Sequence, residues 1–133
     1  MPGKELKYCV AERDPSLQGG SIVFVTAASA RAPIPGTAGL AAINGALEAM
    51  VPTLALELKP TRVNAVSPGV VRTPWLDSLP SEQRESVFAQ IAQSLPVGRI
   101  GMPEEVAEVI LLLLQNGFMT GTVIECDGGI RIK

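Results

Sequence analysis

What the chain has little of narrows its chemistry before any motif is read. Histidine is absent from the 133 residues, so a mixed Cys/His zinc site is impossible. Cysteine occurs twice, as Cys9 and Cys126, too far apart for a metal-ligand spacing and too few for a disulfide framework. Idle thiols in a reducing cytosol are the expectation. Aromatic residues make up 4% against 47% apolar residues in total, which leaves the core to small aliphatic side chains and favours closely packed helix on sheet. Charge of either sign is modest: 11 Lys+Arg face 13 Asp+Glu for a net charge of -2, and no basic footprint exists that would neutralise a phosphate backbone. No nucleic-acid partner is expected. Long apolar runs are missing too. The most apolar, Val106 to Leu114, is far short of a bilayer span, and Met1 to Lys7 carry no signal-peptide core. The expectation is a soluble, cytoplasmic protein with no membrane partner.

What is present alternates between strand-like and helix-like segments. Lys4 to Glu12 has helical character, closed by Pro15 and Gly19-Gly20. Ser21-Ile-Val-Phe-Val-Thr26 is β-branched and apolar on both faces, as a buried parallel strand is. Thr37 to Leu58 places Leu40, Ile43, Leu47, Met50, Leu54 and Leu58 at spacings of three and four, predicting a long helix with one apolar stripe. Pro52 falls inside it, which predicts a kink near Glu48 or two helices in sequence. Arg62 to Val66 reads as a second strand, followed by the turn Ser67-Pro68-Gly69 and a loop from Val70 to Leu79 that carries the only tryptophan, Trp75. Ser81 to Ser94 predicts a polar helix. Glu104 to Gln115 predicts an apolar one after Pro103, and Thr122 to Cys126 predicts a last strand before Asp127-Gly128-Gly129. The order implies one α/β domain over residues 1–133 with a parallel sheet.

Five ordered stretches carry more specific information: Gly20 to Val25, Leu54 to Leu58, Arg62 to Gly69, Gly98 to Ala107 and Thr120 to Gly129. In this order and spacing the chain resembles the C-terminal half of a short-chain dehydrogenase/reductase. The resemblance implies a partial Rossmann-like, doubly wound fold: three parallel strands with flanking helices, equivalent to the fifth to seventh strands of the family sheet, without the N-terminal mononucleotide-binding half. It implies NAD or NADP as cofactor, seated in the family on a Gly-rich strand-turn-helix. No such turn occurs here, since Gly19-Gly20 precedes a strand and Gly128-Gly129 stands too near the end to open a helix. The partner of the fifth strand is also missing. The edge at residues 22–26 is therefore expected to be covered by another chain, by the N-terminal segment or by rearrangement.

The family moves a proton with a tyrosine, a lysine four residues on and a serine. Position by position, these fall on Leu40, Asn44 and Ala27, with Thr26 or Ser29 within one or two residues of the serine position. The only tyrosine is Tyr8 and the only lysines are Lys4, Lys7, Lys59 and Lys133, so no Tyr-x-x-x-Lys pair exists. The resemblance leaves Pro68, Gly69, Val70, Val71 and Thr73 as candidates to face the nicotinamide, with Asn44 able to reach a ribose hydroxyl; a tight turn ending a strand is the plainer alternative. Arg72 reads as a solvated loop cation. Trp75 with Leu76, Leu79 and Phe88 reads either as an apolar lid or as an anchor for a short helix. Glu104 and Glu105 read as helix-capping carboxylates.

Three functions follow from these readings. The first is an oxidoreductase-family protein that is inactive or impaired, because the Gly-rich loop and the Ser/Tyr/Lys set are absent. The second is a non-catalytic, oligomerising protein that assembles through the helix 37–58 and the strand 122–126, or with a chain over strand 22–26. The third is one half of a split oxidoreductase.

Overall fold

The computed structural model describes residues 9–12 and 19–132. Strand β2 (Ser21–Val25) and strand β3 (Arg62–Pro68) pair in parallel, Ile22 opposite Val63 through Val25 opposite Val66. Strand β4 (Val123–Cys126) continues the sheet in parallel, from Ala65 opposite Val123 to Pro68 opposite Cys126. Three parallel strands with flanking helices make a partial Rossmann-like α/β fold.

The segment expected to be helical over Lys4 to Glu12 is corrected in its described part. Cys9–Glu12 forms strand β1, antiparallel to β2 from Cys9 opposite Phe24 to Glu12 opposite Ser21, and the sheet order is β1-β2-β3-β4. Residues 4–8 lie outside the described residues. The open edge of β2 offers a row of unpaired N–H and C=O groups, and pairing with them outweighs the weak helix preference of a short segment. Of the three ways of covering that edge, the chain uses its own N-terminal segment.

Helix α1 (Ala38–Glu57) crosses from β2 to β3 and runs unbroken with Pro52 inside it, so the expected division into two helices does not occur. Val51, fully buried, and Ala55 hold the turns around Pro52 inside the packed layer. The apolar stripe read from spacing proves to be largely the outer face, with Leu40 57% and Ile43 63% exposed. Small side chains form the inner face because α1 lies close against β3, on the side carrying Val63 and Ala65. By length and composition α1, at mean hydropathy 1.4, is apolar enough to cross a bilayer, a run the comparison with Val106 to Leu114 overlooks. In this fold it is a layer on the sheet.

Helix α2 (Ser81–Ser94) buries Phe88, and helix α3 (Pro103–Gln115) covers the opposite sheet face. There Leu113 and Leu114 pack on Val23 and Val66, with Val25, Val106, Val109, Ile110, Met119, Ile124 and Cys126 around them. The C-terminal end of α3 has carbonyls with no partner in the helix. The buried Arg62 guanidinium supplies three bonds there, Nη1 to Leu113 O (2.7 Å) and Met119 O (3.2 Å), and Nη2 to Leu114 O (2.7 Å). Asn64, also fully buried, donates to Met119 O (2.8 Å) and accepts from Thr122 N–H (3.2 Å), fixing the entry to β4.

Candidate functional site

Parallel sheets leave a crevice beyond the carboxyl ends of their strands. Here β2 ends in Val25-Thr26, β3 ends in Pro68-Gly69, and the loops that follow enclose a cleft of about 530 Å3. The cleft brings together Ala27, Leu40, Pro68, Gly69, Val70, Val71 and Thr73 from segments far apart in the chain, with Trp75 on its wall. Asn44 does not line it. Its amide Nδ2 donates to Ser29 Oγ (3.2 Å), which does line it, and lies 2.9 Å from Leu40 O one turn back on α1. Ser29, one of the two neighbours considered for the family serine, is therefore the hydroxyl that meets position 44. Thr26 is committed elsewhere: its Oγ1 lies 2.8 Å from Glu48 Oε1.

Among the residues lining the cleft no side chain titrates between acid and alkaline pH: the polar ones are Thr26, Ser29, Thr73 and Trp75. Leu40 stands at the mouth where a phenol would be needed. The Pro68–Thr73 loop is itself knitted into the fold. Gly101 N–H donates to Val70 O and Arg72 N–H donates to Gly101 O, each at 2.9 Å, and Trp75 Nε1 donates to Val71 O at 3.2 Å. Gly69 is required by close approach: a Cβ there would stand 2.7 Å from Asp127 O. The turn thus serves the sheet whatever else it does.

Arg72 is exposed, as its loop position suggests, and it is also paired. It donates to both carboxylate oxygens of Glu85 (2.7 and 3.0 Å) and lies 4.8 Å from the centroid of the Phe88 ring, because the loop runs beside α2. The Glu85 carboxyl is lowered by that contact. Trp75 meets Phe88 edge-on, with centroids 6.2 Å apart, so it anchors the short turn Pro74–Leu76 to α2 and walls the cleft at once. Glu105 takes the capping role: it accepts from Met102 N–H (2.8 Å) and from Arg99 (2.9 and 2.5 Å). Its carboxyl is held at about 2, first by Arg99 and then by the Met102 N–H. Sequence reading missed a second charged set beside the cleft. Arg31 bridges Glu48 (2.8 Å) and Glu125, and Arg131 joins Glu125 (2.8 Å). The partners lie too far apart in sequence for any local pattern to reveal them.

Cys126 fits the idle-thiol expectation in its surroundings: burial, then the carboxylates Glu105, Asp127 and Glu108, push the thiol upward, against thiolate formation. No group of metal-ligating side chains occurs among the described residues.

The nicotinamide cofactor of the family fits this cleft only in part. An apolar wall and the Thr73 hydroxyl suit an aromatic amide, while among the described residues no cation and no Gly-rich strand-turn-helix lines the cleft to seat a diphosphate.

An α/β sheet with its cleft beyond the strand ends defines the class as one half of a doubly wound, nucleotide-type fold. The comparisons give the family. The family described as enoyl-(acyl carrier protein) reductase matches residues 7–131. The 3-oxoacyl-(acyl-carrier-protein) reductase FabG of Thermotoga maritima is 41% identical over 129 residues, 94% of this chain and 49% of its own. Mouse 3-hydroxyacyl-CoA dehydrogenase type-2 is 33% identical over 92% of this chain and 46% of its own. A small-chain dehydrogenase solved in complex with NADPH superposes at a TM-score of 0.83 with 40% identity, over 87% of this chain and 53% of that one. The chain belongs to the short-chain dehydrogenase/reductase family, and it spans about half the length of the relatives it matches.

Proposed function

We propose that this chain is an oxidoreductase-family protein that performs no hydride transfer by itself. The observation that carries the reading is the cleft lining, in which Leu40 and Ala27 occupy the proton-transfer positions and no titratable side chain is present. A general acid must be within hydrogen-bond reach of the oxygen it protonates, and leucine has no proton to give at any pH. The Pro68–Thr73 loop with Ser29 and Asn44 supports contact with a nicotinamide and its ribose, and among the described residues no cation lines the cleft to support a diphosphate. Calorimetry distinguishes the two ends of the cofactor. NAD and NADP are expected to bind no tighter than nicotinamide riboside, and NAD or NADP binding a hundred times more tightly than the riboside would contradict this.

A second reading, assembly of copies, is favoured by one observation: Leu40, Ile43 and Met50 are exposed together on α1, and the outer edge of β4 has no partner among the described residues. Helix 37–58 and strand 122–126 are the surfaces this reading uses. With β1 already on the edge at residues 22–26, a complementing half of a split enzyme would have to displace Cys9–Glu12 to reach β2.

A further inference from the structure

We propose that β1 is a guard strand: seated on β2 it stops the sheet from growing, and on its release two copies of the chain join β2 to β2 across a twofold axis. This junction uses neither α1 nor the outer edge of β4. The edge beneath β1 has no defence of its own. Ser21-Ile-Val-Phe-Val25 carries no charge and no proline, and its pairings with β1 and β3 run without a break in register, so no bulge blunts it either. Orientation identifies the second copy as the occupant. The other side of β2 is paired in parallel, yet β1 lies antiparallel, so the space beside β2 accepts an antiparallel neighbour. A twofold axis normal to the sheet makes any strand its own antiparallel neighbour, and β2 of a second copy meets that requirement with no crossover and no change of fold. The product is one continuous sheet with β2, β3 and β4 from each copy.

The guard is built to come away without disturbing the rest. α3 packs across β2, β3 and β4 and α1 across β3, and neither packs on β1 to a comparable extent, so one backbone ladder holds it. Eight residues, 13 to 20, join Glu12 to Ser21, more than the roughly two to five of hairpin loops that fix their own register. The inner end of that connection is pinned. Gly19 has a φ of 106°, a Cβ there would meet Pro60 O at 2.6 Å, and Arg62 N–H donates to Gly20 O at 2.9 Å. Release of β1 therefore pivots ahead of Gly19 and leaves the start of β2 in place. A connection of this length presents the guard to its edge at an effective concentration of roughly millimolar. At micromolar protein β1 outcompetes a second copy, and the edge opens only when β1 is lost.

In the full chain, Val10→Pro with Ala11→Pro removes a ladder donor whichever of the two faces β2, since neighbours on a strand point opposite ways. Sedimentation at micromolar concentration is expected to show one association step more than the unsubstituted chain, a doubling of its mass, with circular dichroism establishing that the helices are retained. A synthetic peptide of residues 7–14, at about millimolar concentration, is expected to reverse that step by reoccupying β2, and a scrambled peptide to leave it. Sedimentation identical to that of the unsubstituted chain, or a step that the peptide does not reverse, would overturn the proposal. If the double proline variant does not fold, the guard is locked instead. Phe24→Cys with Cys126→Ser sets a thiol opposite Cys9, and oxidation staples β1 to β2 within one chain, as mass spectrometry verifies. At about millimolar protein the reduced form is expected to gain the association step and the stapled form to lack it, and equal sedimentation of the two would sink the idea.

Discussion

Leu40 and Asn44 stand one helical turn apart on α1, and what they contribute is geometry without acid-base chemistry. The triple substitution Ala27→Ser, Leu40→Tyr and Asn44→Lys would place a hydroxyl, a phenol and an ammonium around the cleft. In this chain it is expected to lower the phenol pKa, visible in an ultraviolet pH titration, and still to give no turnover, since the diphosphate remains unseated. Turnover by that variant would show that the missing proton donor is the only deficit. Glu105 makes a second residue-scale prediction. Its folded carboxyl, at about 2, lies below the ordinary value of 4.5, so its stabilisation of the α3 start is complete above 4.5 and fades as the pH falls toward 2. Glu105→Gln is expected to flatten the loss of helicity over that range, and an unchanged acid profile would contradict the assignment. Ser67 is different again: its Oγ is buried without a hydrogen-bond partner among the described residues. Ser67→Ala is expected to change stability by less than about 1 kcal/mol or to raise it, as read by chemical denaturation, because the substitution removes a desolvated group rather than a bond.

At the scale of elements, the join between β3 and α3 depends on one buried cation. Arg62→Leu removes the three bonds to Leu113, Leu114 and Met119 and leaves buried carbonyls unmet, an expected loss of about 3 kcal/mol in urea unfolding. A loss below about 0.5 kcal/mol would show that water satisfies that helix end as well as Arg62 does. The outer face of α1 gives the matching prediction for assembly. Ile43→Asp together with Met50→Asp is expected to shift the chain to monomer in sedimentation, and identical sedimentation before and after would remove α1 from any interface. These elements differ in how far the sequence reveals them. β2, β3 and β4 are legible because buried parallel strands need short β-branched runs, and their motifs carry the family with them. The buried face of α1 is not, since Val51 and Ala55 are smaller than the leucines on the outer face and periodicity alone cannot say which face meets the sheet. The pairing of Arg72 is not legible, because its partner Glu85 sits on another element.

For the whole molecule, the sheet is completed by β1, whose sequence gives no sign of it: the hydrogen bonds that make Cys9–Glu12 a strand belong to the edge of β2, not to the segment itself. The same holds for the set formed by Arg31, Glu48, Glu125 and Arg131, which ties the 28–31 turn, α1, β4 and the C-terminal turn together. The absence of a Tyr-x-x-x-Lys pair, by contrast, was legible from residue types alone, and the structure adds where it matters, at the mouth of a cleft walled by apolar side chains. The most direct test is reduced-nicotinamide absorbance followed over time for the purified 133-residue chain with a panel of ketones. The account predicts no loss of absorbance beyond the enzyme-free rate at any pH, and sustained, protein-dependent oxidation of NADH or NADPH would contradict it.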